Sequence, residues 1–158
     1  MSRELEEALH LKIAELCERG DAHVEAGEHD AAIEKYEAAL ELLPRPIQRW
    51  NSSTWILTAL GDAYYLKKDW RQARAALDDA TRCPRGLDNP FIHLRLGQVE
   101  LELGNEGRAR DELGRAYLGA GEEIFAGEDP RCLALAKEGA QGRAAQVGGA
   151  GQGGDEPQ

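Results

Sequence analysis

The sequence has little of what several protein classes require. Its 158 residues include three cysteines, no run of 18 apolar residues and only 6% aromatic residues. The cysteines form no CxxC pair and are odd in number, which argues against a zinc site and a disulfide framework. Without a long apolar run, no membrane-spanning helix is expected. The first residues are acidic where a secretory signal needs bases and an apolar stretch, so we expect a cytoplasmic protein.

Basic residues are also scarce. The chain carries 19 Lys and Arg against 29 Asp and Glu, a formal net charge of −10. Binding to nucleic acid depends on Lys and Arg contacts to phosphates, so we expect no nucleic acid as a partner. The acidic charge suits a basic protein partner through electrostatic steering, although the same acids would also keep the surface soluble.

Catalytic motifs are missing as well. The sequence contains no P-loop, GxSxG, HExxH or dinucleotide fingerprint. Its four histidines have no carboxylate or thiol at the spacing of a metal site or a catalytic pair. We therefore expect no metal, no cofactor and no enzymatic activity.

What the sequence does contain is one small-residue skeleton that recurs three times. In each copy a glycine is followed by an alanine 12 residues later and by another after seven more. The copies are Gly20, Ala32 and Ala39; Gly61, Ala73 and Ala80; and Gly97, Ala109 and Ala116. Periods of 41 and 36 residues predict an array of stacked helix pairs. The small residues would let the two helices of a pair approach closely.

Apolar residues three and four positions apart indicate where the helices lie. We predict helices at about 2–26, 30–43, 52–67, 70–82, 90–103 and 106–118, then short ones at 122–125 and 130–139. Asn51 or Ser52 is predicted to cap the third helix, and Asp88 or Asn89 the fifth. From residue 140 the glycine-rich sequence has little to bury, so residues 140–158 are predicted to form a disordered tail.

Numbered as a 34-residue repeat with Gly20 at position 8, the skeleton resembles the tetratricopeptide repeat. The matching residues are Leu16, Gly20, Ala32, Tyr36, Ala39 and Pro44 in the first copy, Leu57, Leu60, Gly61, Tyr64, Ala73, Leu77 and Ala80 in the second, and Leu96, Gly97, Ala109, Leu113 and Ala116 in the third. His23 and Glu100 depart from the aromatic residue usual at position 11. The resemblance implies an all-α, right-handed solenoid of three helical hairpins, at about 13–46, 54–87 and 90–123, with a capping segment at 124–139.

In this family the first helix of each pair lines a concave groove, so the resemblance implies a binding surface there. The predicted partner-binding residues are Asp21, Trp55, Thr58, Asp62, Tyr65, Phe91, Leu94, Arg95 and Gln98. The three aromatic residues would be anchors for a partner, or else would pack between neighbouring pairs. Arg95 alone matches the residues with which chaperone-binding members hold terminal carboxylates, so no carboxylate-clamp chaperone peptide is expected.

Trp50 is a further candidate, in the segment that lengthens the first period. It stands near Arg45 and Arg49, and an exposed tryptophan there would suit a partner contact. The alternative is a connector whose tryptophan folds back onto the helices.

These features predict a non-catalytic protein–protein interaction module that binds a protein or peptide partner through its groove. The block from Trp50 to Leu96 is similar in style to small bacterial repeat proteins. Some of these are encoded beside polymorphic toxins and are thought to serve as immunity proteins. An adaptor or assembly chaperone of a bacterial secretion or envelope system is the alternative, and a regulatory array acting on an enzyme or RNA stays open.

Overall fold

Seven α-helices and two short 3-10 helices make up the described part of the chain. The computed structural model describes residues 6–150, with side chains up to residue 146. The α-helices are α1 (Glu7–Glu25), α2 (His29–Leu42), α3 (Asn51–Lys67), α4 (Trp70–Thr81), α5 (Pro90–Glu102), α6 (Glu106–Ala120) and α7 (Pro130–Ala150), and the 3-10 helices are Ile47–Arg49 and Glu122–Phe125. No strand occurs between residues 6 and 150. The predicted all-α fold is confirmed.

Helices that follow each other in the chain also pack on each other in space. α1 packs on α2, α3 on α4 and α5 on α6, while contacts of α2 with α3 and of α4 with α5 join one pair to the next. Finally, α7 packs on α6. Repetition of one hairpin with nearest-neighbour contacts gives the helical-hairpin solenoid that the repeat predicts.

The recurrent glycine lies where the two helices of a pair touch. A Cβ atom on Gly20 would lie 2.6 Å from Cε1 of Tyr36, and Gly97 faces Leu113 in the same way. The six skeleton alanines have no exposed surface; they are Ala32, Ala39, Ala73, Ala80, Ala109 and Ala116. The close approach predicted from the small residues is confirmed, because a side chain at either glycine would have no room.

Two apolar clusters form the core. The first extends from α1 to α5 and includes Ile13 and Ile56, both fully buried. The second surrounds Leu94 and Leu113 and also contains Phe125, from the segment between α6 and α7. The C-terminal segment therefore covers the apolar edge of the third pair, as a terminal element of a repeat array must.

The start of α3 differs from the prediction. Trp50, rather than Asn51 or Ser52, holds the N-cap position, and no side chain caps the helix. The 3-10 turn Ile47–Arg49 leads directly into α3, and the backbone oxygen of Trp50 accepts a hydrogen bond from the amide of Ser53. Asn51 already has a helical backbone, so its side chain stands one position too late to cap.

The start of α5 follows the prediction. Oδ1 of Asn89 accepts a hydrogen bond from the amide of Phe91 at 3.0 Å, and Pro90 is the first helical residue.

At the other end of the array, Glu6 is not helical and α1 begins at Glu7. The predicted start near Ser2 is thereby corrected, and residues 1–5 lie outside the described part of the chain.

The last helix is longer than predicted. α7 continues to Ala150, so residues 140–150 are helical rather than part of the predicted disordered tail. Residues 151–158 lie outside the described residues. Gly139 is buried directly against the backbone of Arg110. Ala140, the first residue of the predicted tail, is also buried, and its backbone nitrogen would lie 2.8 Å from a Cβ on Gly114, so the close packing of α7 on α6 continues past the predicted end of the helix.

Glu100 shows how the third pair accommodates a departure from the repeat pattern. Its carboxylate is fully buried at a position where an aromatic side chain is usual. Nδ2 of Asn105 donates to it at 2.7 Å, and guanidinium nitrogens of Arg74 and Arg108 lie 3.4 and 3.7 Å away. These partners are necessary because an unpaired buried carboxylate would be strongly destabilising.

Candidate binding groove

A cleft of about 530 Å³ lies between α3 and the turn that joins α4 to α5. Its α3 wall consists of Asn51, Thr54, Trp55, Thr58, Ala59 and Asp62. They follow the pattern i, i+3, i+4, i+7, i+8 and i+11, which places them on one face of the helix. The opposite wall includes Arg85 and Phe91. The cleft thus brings together four of the predicted groove residues: Trp55, Thr58, Asp62 and Phe91.

Trp55 is the most open aromatic residue of this surface. It is 43% exposed, whereas Tyr65 and Phe91 are half-buried. The ring centroid of Tyr65 lies 5.6 Å from that of Trp70. The guanidinium carbon of Arg95 lies 4.6 Å from the ring centroid of Tyr65 and 5.0 Å from that of Phe91. Tyr65 and Phe91 therefore make contacts within the protein, while Trp55 keeps a free face.

Arg95 connects α3, α5 and the segment before α7. Its Nε donates to Oδ1 of Asp62 at 2.7 Å, and its Nη1 donates to Gln98 at 2.6 Å and to Glu128 at 3.3 Å. Burial lowers the pKa of Arg95, but the hydrogen bond and charge of Asp62 and the charge of Glu128 outweigh burial, so the pKa lies above its ordinary value. A residue predicted to contact a partner is therefore already held by side chains of its own chain.

The C-terminal segment covers two other predicted residues. Leu94 is buried in the second apolar cluster beside Phe125 and Cys132. Gln98 is 4% exposed, and its Nε2 donates to Oε2 of Glu128 at 2.6 Å. The open part of the groove consequently lies along α3. Glu128 was not predicted as a groove residue because the sequence around it has no helical periodicity.

Asp21 lies on α1, in the neighbouring pair. Its exposed carboxylate accepts a hydrogen bond from the hydroxyl of Tyr36 at 2.5 Å. Burial, this bond and the charges of Asp21 and Asp62 raise the pKa of Tyr36 well above its ordinary value. Because both carboxylates act on one hydroxyl, they belong to one neighbourhood of the groove.

The two threonines of the α3 wall use their hydroxyls within the protein. Thr58 donates to the backbone oxygen of Thr54 at 2.6 Å. Thr54 donates to the backbone oxygen of Pro84 at 2.7 Å. The second bond ties the α4–α5 turn to α3 and so holds the two walls of the cleft together.

Arg85 lies in this turn and was not singled out from the sequence. Its φ of +60° falls in the left-handed region, which residues other than glycine rarely adopt. At the next position, Gly86, any side chain would overlap the backbone of Ala80. The Pro84–Gly86 sequence is the turn signal that could have drawn attention to Arg85.

Trp50 is not part of the cleft. Its Nε1–H donates to the backbone oxygen of Pro44 at 2.7 Å, and the side chain packs against the first apolar cluster. Arg45 and Arg49 are exposed. The tryptophan has folded back onto the helices, which was the alternative to an exposed contact residue.

Carboxylates outnumber bases around Arg95. Asp62 and Glu128 contact it directly, and Asp21 shares the Tyr36 neighbourhood with Asp62. Glu102 is close enough to raise the pKa of the neighbouring Tyr65, after the larger effect of burial. Counted together with the exposed Arg85 on the opposite wall of the cleft, four carboxylates and two guanidinium groups give this surface a formal charge of −2 at neutral pH.

Other kinds of site find no support in the described residues. Between residues 6 and 150, no three His, Cys, Asp or Glu side chains are arranged to hold a metal ion, and no helix is long and apolar enough to cross a membrane. The thiols of Cys17, Cys83 and Cys132 are buried. Burial raises the pKa of Cys17 to about 12, which disfavours the nucleophilic thiolate.

Comparisons with solved structures agree with the hairpin architecture. The Arabidopsis OM64 TPR domain has a TM-score of 0.66 at 15% identity and is matched over 84% of this chain and 98% of its own. The first TPR of Spaghetti (RPAP3), bound to an HSP90 peptide, has a TM-score of 0.63 at 17% identity, and the match covers 85% of this chain and 94% of that one. The Sgt2 TPR domain from Aspergillus fumigatus has a TM-score of 0.60 at 18% identity, and the match covers 92% of this chain and 85% of that one. At these identities the likeness concerns the fold alone.

Two family profiles also match the sequence, and both are described as tetratricopeptide repeat. One matches residues 23–86 and the other residues 58–123, so together they span more than half of the chain. None of the curated proteins compared with the sequence matches it. Three hairpins, the recurrent Gly–Ala skeleton and these matches show that the chain belongs to the tetratricopeptide repeat family, whose domains generally serve as scaffolds for protein or peptide interaction.

Proposed function

We propose that this protein is a non-catalytic interaction module that binds a basic region of a protein partner along the groove face of α3. The observation that carries the proposal is Trp55, which is 43% exposed in a cleft that also contains Asp62. Large aromatic side chains in a cleft are typical anchors of protein interfaces. An apolar anchor beside a charged surface gives a partner both affinity and orientation.

The charge around the cleft supports a basic partner. The surface around Arg95 and Arg85 has a formal charge of −2, and the whole chain has −10. Opposite charges on two partners raise their association rate and suppress association with acidic proteins. We therefore expect binding to weaken as the salt concentration rises.

The same charges disfavour the kind of peptide bound by one structural neighbour. The HSP90 peptide described for that neighbour, SRMEEVD, has three acidic residues and one arginine. On this chain Arg95 already contacts Asp62 and Glu128. An acidic peptide would have to displace both carboxylates and approach an acidic surface, so we propose that carboxylate-clamp peptides are not its ligands.

For the biological role we propose an immunity protein that neutralises a toxin by covering a basic surface. The similarity in style to small bacterial repeat proteins and the acidic groove support this role. The alternative is an adaptor or assembly chaperone of a bacterial secretion or envelope system, for which the same groove would serve. The two roles differ in the partner gene: a toxin in one case, a secretion or envelope component in the other.

The test is co-expression with the product of the adjacent gene, followed by measurement of affinity for any partner that co-purifies. We expect Trp55→Ala and Phe91→Ala to weaken binding at least about tenfold, as truncation of aromatic anchors usually does. Leu118→Ala is the matched control, because Leu118 is 57% exposed on α6, outside the cleft. Unchanged affinity of both aromatic variants would exclude the cleft as the binding surface. A partner with no toxic activity, encoded among secretion genes, would favour the adaptor role.

A further inference from the structure

Two arginines border the groove, and their surroundings differ. Arg95 contacts Asp62 and Glu128, so its charge is used within the protein. Arg85 lines the cleft, is exposed, and makes no ion pair with any residue in the described part of the chain. Arg85 is therefore a cation that the cleft presents to an occupant.

The backbone at Arg85 strengthens this conclusion. A φ of +60° costs free energy for a residue with a side chain and little for glycine. The turn itself is held by the bond from Thr54 to Pro84 and by the close packing of Gly86. Glycine at position 85 would suit the turn better than arginine does. The structure shows no ion pair or hydrogen bond that uses the Arg85 guanidinium within the described residues, so its charge is available to an occupant of the cleft.

The length of the cleft indicates how far apart the charged groups of an occupant should be. Thr54, which is bonded to the Arg85 turn, and Asp62 are eight residues apart on α3. At 1.5 Å per residue this separation is about 12 Å. An extended chain advances about 3.3 Å per residue, so two side chains four positions apart are about 13 Å apart.

We propose that the cleft binds an extended partner segment in which a carboxylate and a Lys or Arg are four residues apart, with an apolar side chain between them. The carboxylate pairs with Arg85, and the apolar side chain packs on Trp55 and Phe91. The basic group meets the carboxylates around Asp62. This proposal rests on the proposed groove function and adds the order of the contacts along α3.

Four blocked pentapeptides serve as probes: Asp-Ala-Phe-Ala-Lys, Lys-Ala-Phe-Ala-Asp, Lys-Ala-Phe-Ala-Lys and Asp-Ala-Phe-Ala-Asp. Each is titrated at about millimolar concentration, which is suited to weak ligands. Binding is followed through the NMR signal of the Trp55 indole N–H, assigned with a Trp55→Phe variant. The proteins compared are the unmodified chain, Arg85→Gly, and Arg49→Gln, whose exposed arginine lies outside the cleft.

We expect one of the two mixed peptides to bind about two- to fivefold more tightly than the peptide with two lysines, as an exposed ion pair allows. Arg85→Gly should abolish this preference, and Arg49→Gln should keep it. Because glycine relieves the left-handed backbone, the melting temperature of Arg85→Gly should be equal to or higher than that of the unmodified chain. Loss of the preference then cannot be attributed to unfolding.

The two proposals fail in different ways. If the peptide with two lysines shifts the Trp55 signal and binds as tightly as both mixed peptides, the Arg85 contact is overturned and the groove function stands. The Arg85 contact is also overturned if Arg85→Gly keeps the preference. If no peptide shifts the Trp55 signal, or the peptide with two aspartates binds best, the groove function is overturned as well.

Discussion

Oδ1 of Asp62 on α3 lies 2.7 Å from Nε of Arg95 on α5, so an ion pair joins the groove faces of the second and third helix pairs. The side chain of Arg95 is 13% exposed and that of Asp62 is 26% exposed. Arg95 also reaches Glu128, in the segment that covers the end of the groove. One arginine therefore links the middle of the array to its C-terminal end.

We expect this pair to contribute measurably to stability because water screens it only partly. Asp62→Asn, Arg95→Gln and the double variant should give a coupling free energy of about 1 kcal/mol in urea unfolding. The pair Arg19–Glu15 on α1 is the control, since both side chains are about 60% exposed at a similar distance of 2.9 Å. Its coupling should be smaller. Equal coupling free energies in the double-mutant cycles of Asp62–Arg95 and Arg19–Glu15 would show that burial does not strengthen the Asp62–Arg95 pair.

Gly20→Ala should destabilise the protein, because its new Cβ would meet the ring of Tyr36 at 2.6 Å. We expect a loss of about 1–3 kcal/mol in the free energy of unfolding. Gly142→Ala on α7 is the matched control, since a Cβ there meets nothing within 4 Å. This variant should gain about 0.5–1 kcal/mol from the better helix propensity of alanine. A neutral Gly20→Ala would contradict the close approach of α1 and α2.

Stability should fall at alkaline pH through His93, which is buried between two acceptors. Its Nδ1 lies 2.6 Å from Oε2 of Glu112, and its Nε2 lies 2.5 Å from the backbone oxygen of Leu87. Burial and the charge of Arg115 lower the pKa of His93, but the bonds to Glu112 and Leu87 outweigh them, so the pKa is raised above 6.5. The stabilisation from His93 is therefore fully present below pH 6.5 and is lost as the pH rises through the folded-state pKa.

The measurement is the free energy of unfolding in urea from about pH 6 to pH 9, together with NMR titration of the His93 ring. His93→Gln should flatten the part of the pH dependence that belongs to this residue. The prediction is wrong if His93 titrates below pH 6.5 in the folded protein, or if the two proteins show the same dependence.

The three thiols should be almost unreactive in the folded protein. Burial raises the pKa values of Cys17, Cys83 and Cys132, so very little thiolate is present at neutral pH. Ellman's reagent should modify all three rapidly in urea and much more slowly without it. Rapid modification of any thiol in the folded state would reveal local opening at that site.

Much of the fold follows from local patterns along the chain. The predicted helices at 30–43, 70–82, 90–103 and 106–118 agree with α2, α4, α5 and α6 to within two residues at each end. Periodic apolar residues, Gly and Pro signals and caps such as Asn89 act over one helical turn, so the sequence alone exposes them. At α3 the same signals placed the cap incorrectly, because the 3-10 turn Ile47–Arg49 leads directly into the helix and puts Trp50 at the N-cap position. At α7 they placed the end too early, because the helix continues while it packs on α6.

The candidate site was predictable only in outline. Position numbers in the repeat identified Trp55, Asp62 and Phe91, which lie together in the cleft. They could not show that Glu128 would reach Arg95, since these residues are 33 positions apart and Glu128 lies in a loop without periodicity. Arg85 was missed for a similar reason, because its position depends on the turn bonded to Thr54.

By itself, the sequence determined the stack of three helix pairs, because the Gly–Ala spacing and the apolar period are local features repeated in one register. The tertiary structure decided which part of the groove stays open. The segment from Glu122 to Glu128 covers Leu94 and holds Gln98 and Arg95, while Trp55 and Arg85 remain exposed. That outcome depends on contacts between residues distant in the chain, which only the packed array brings within reach of one another.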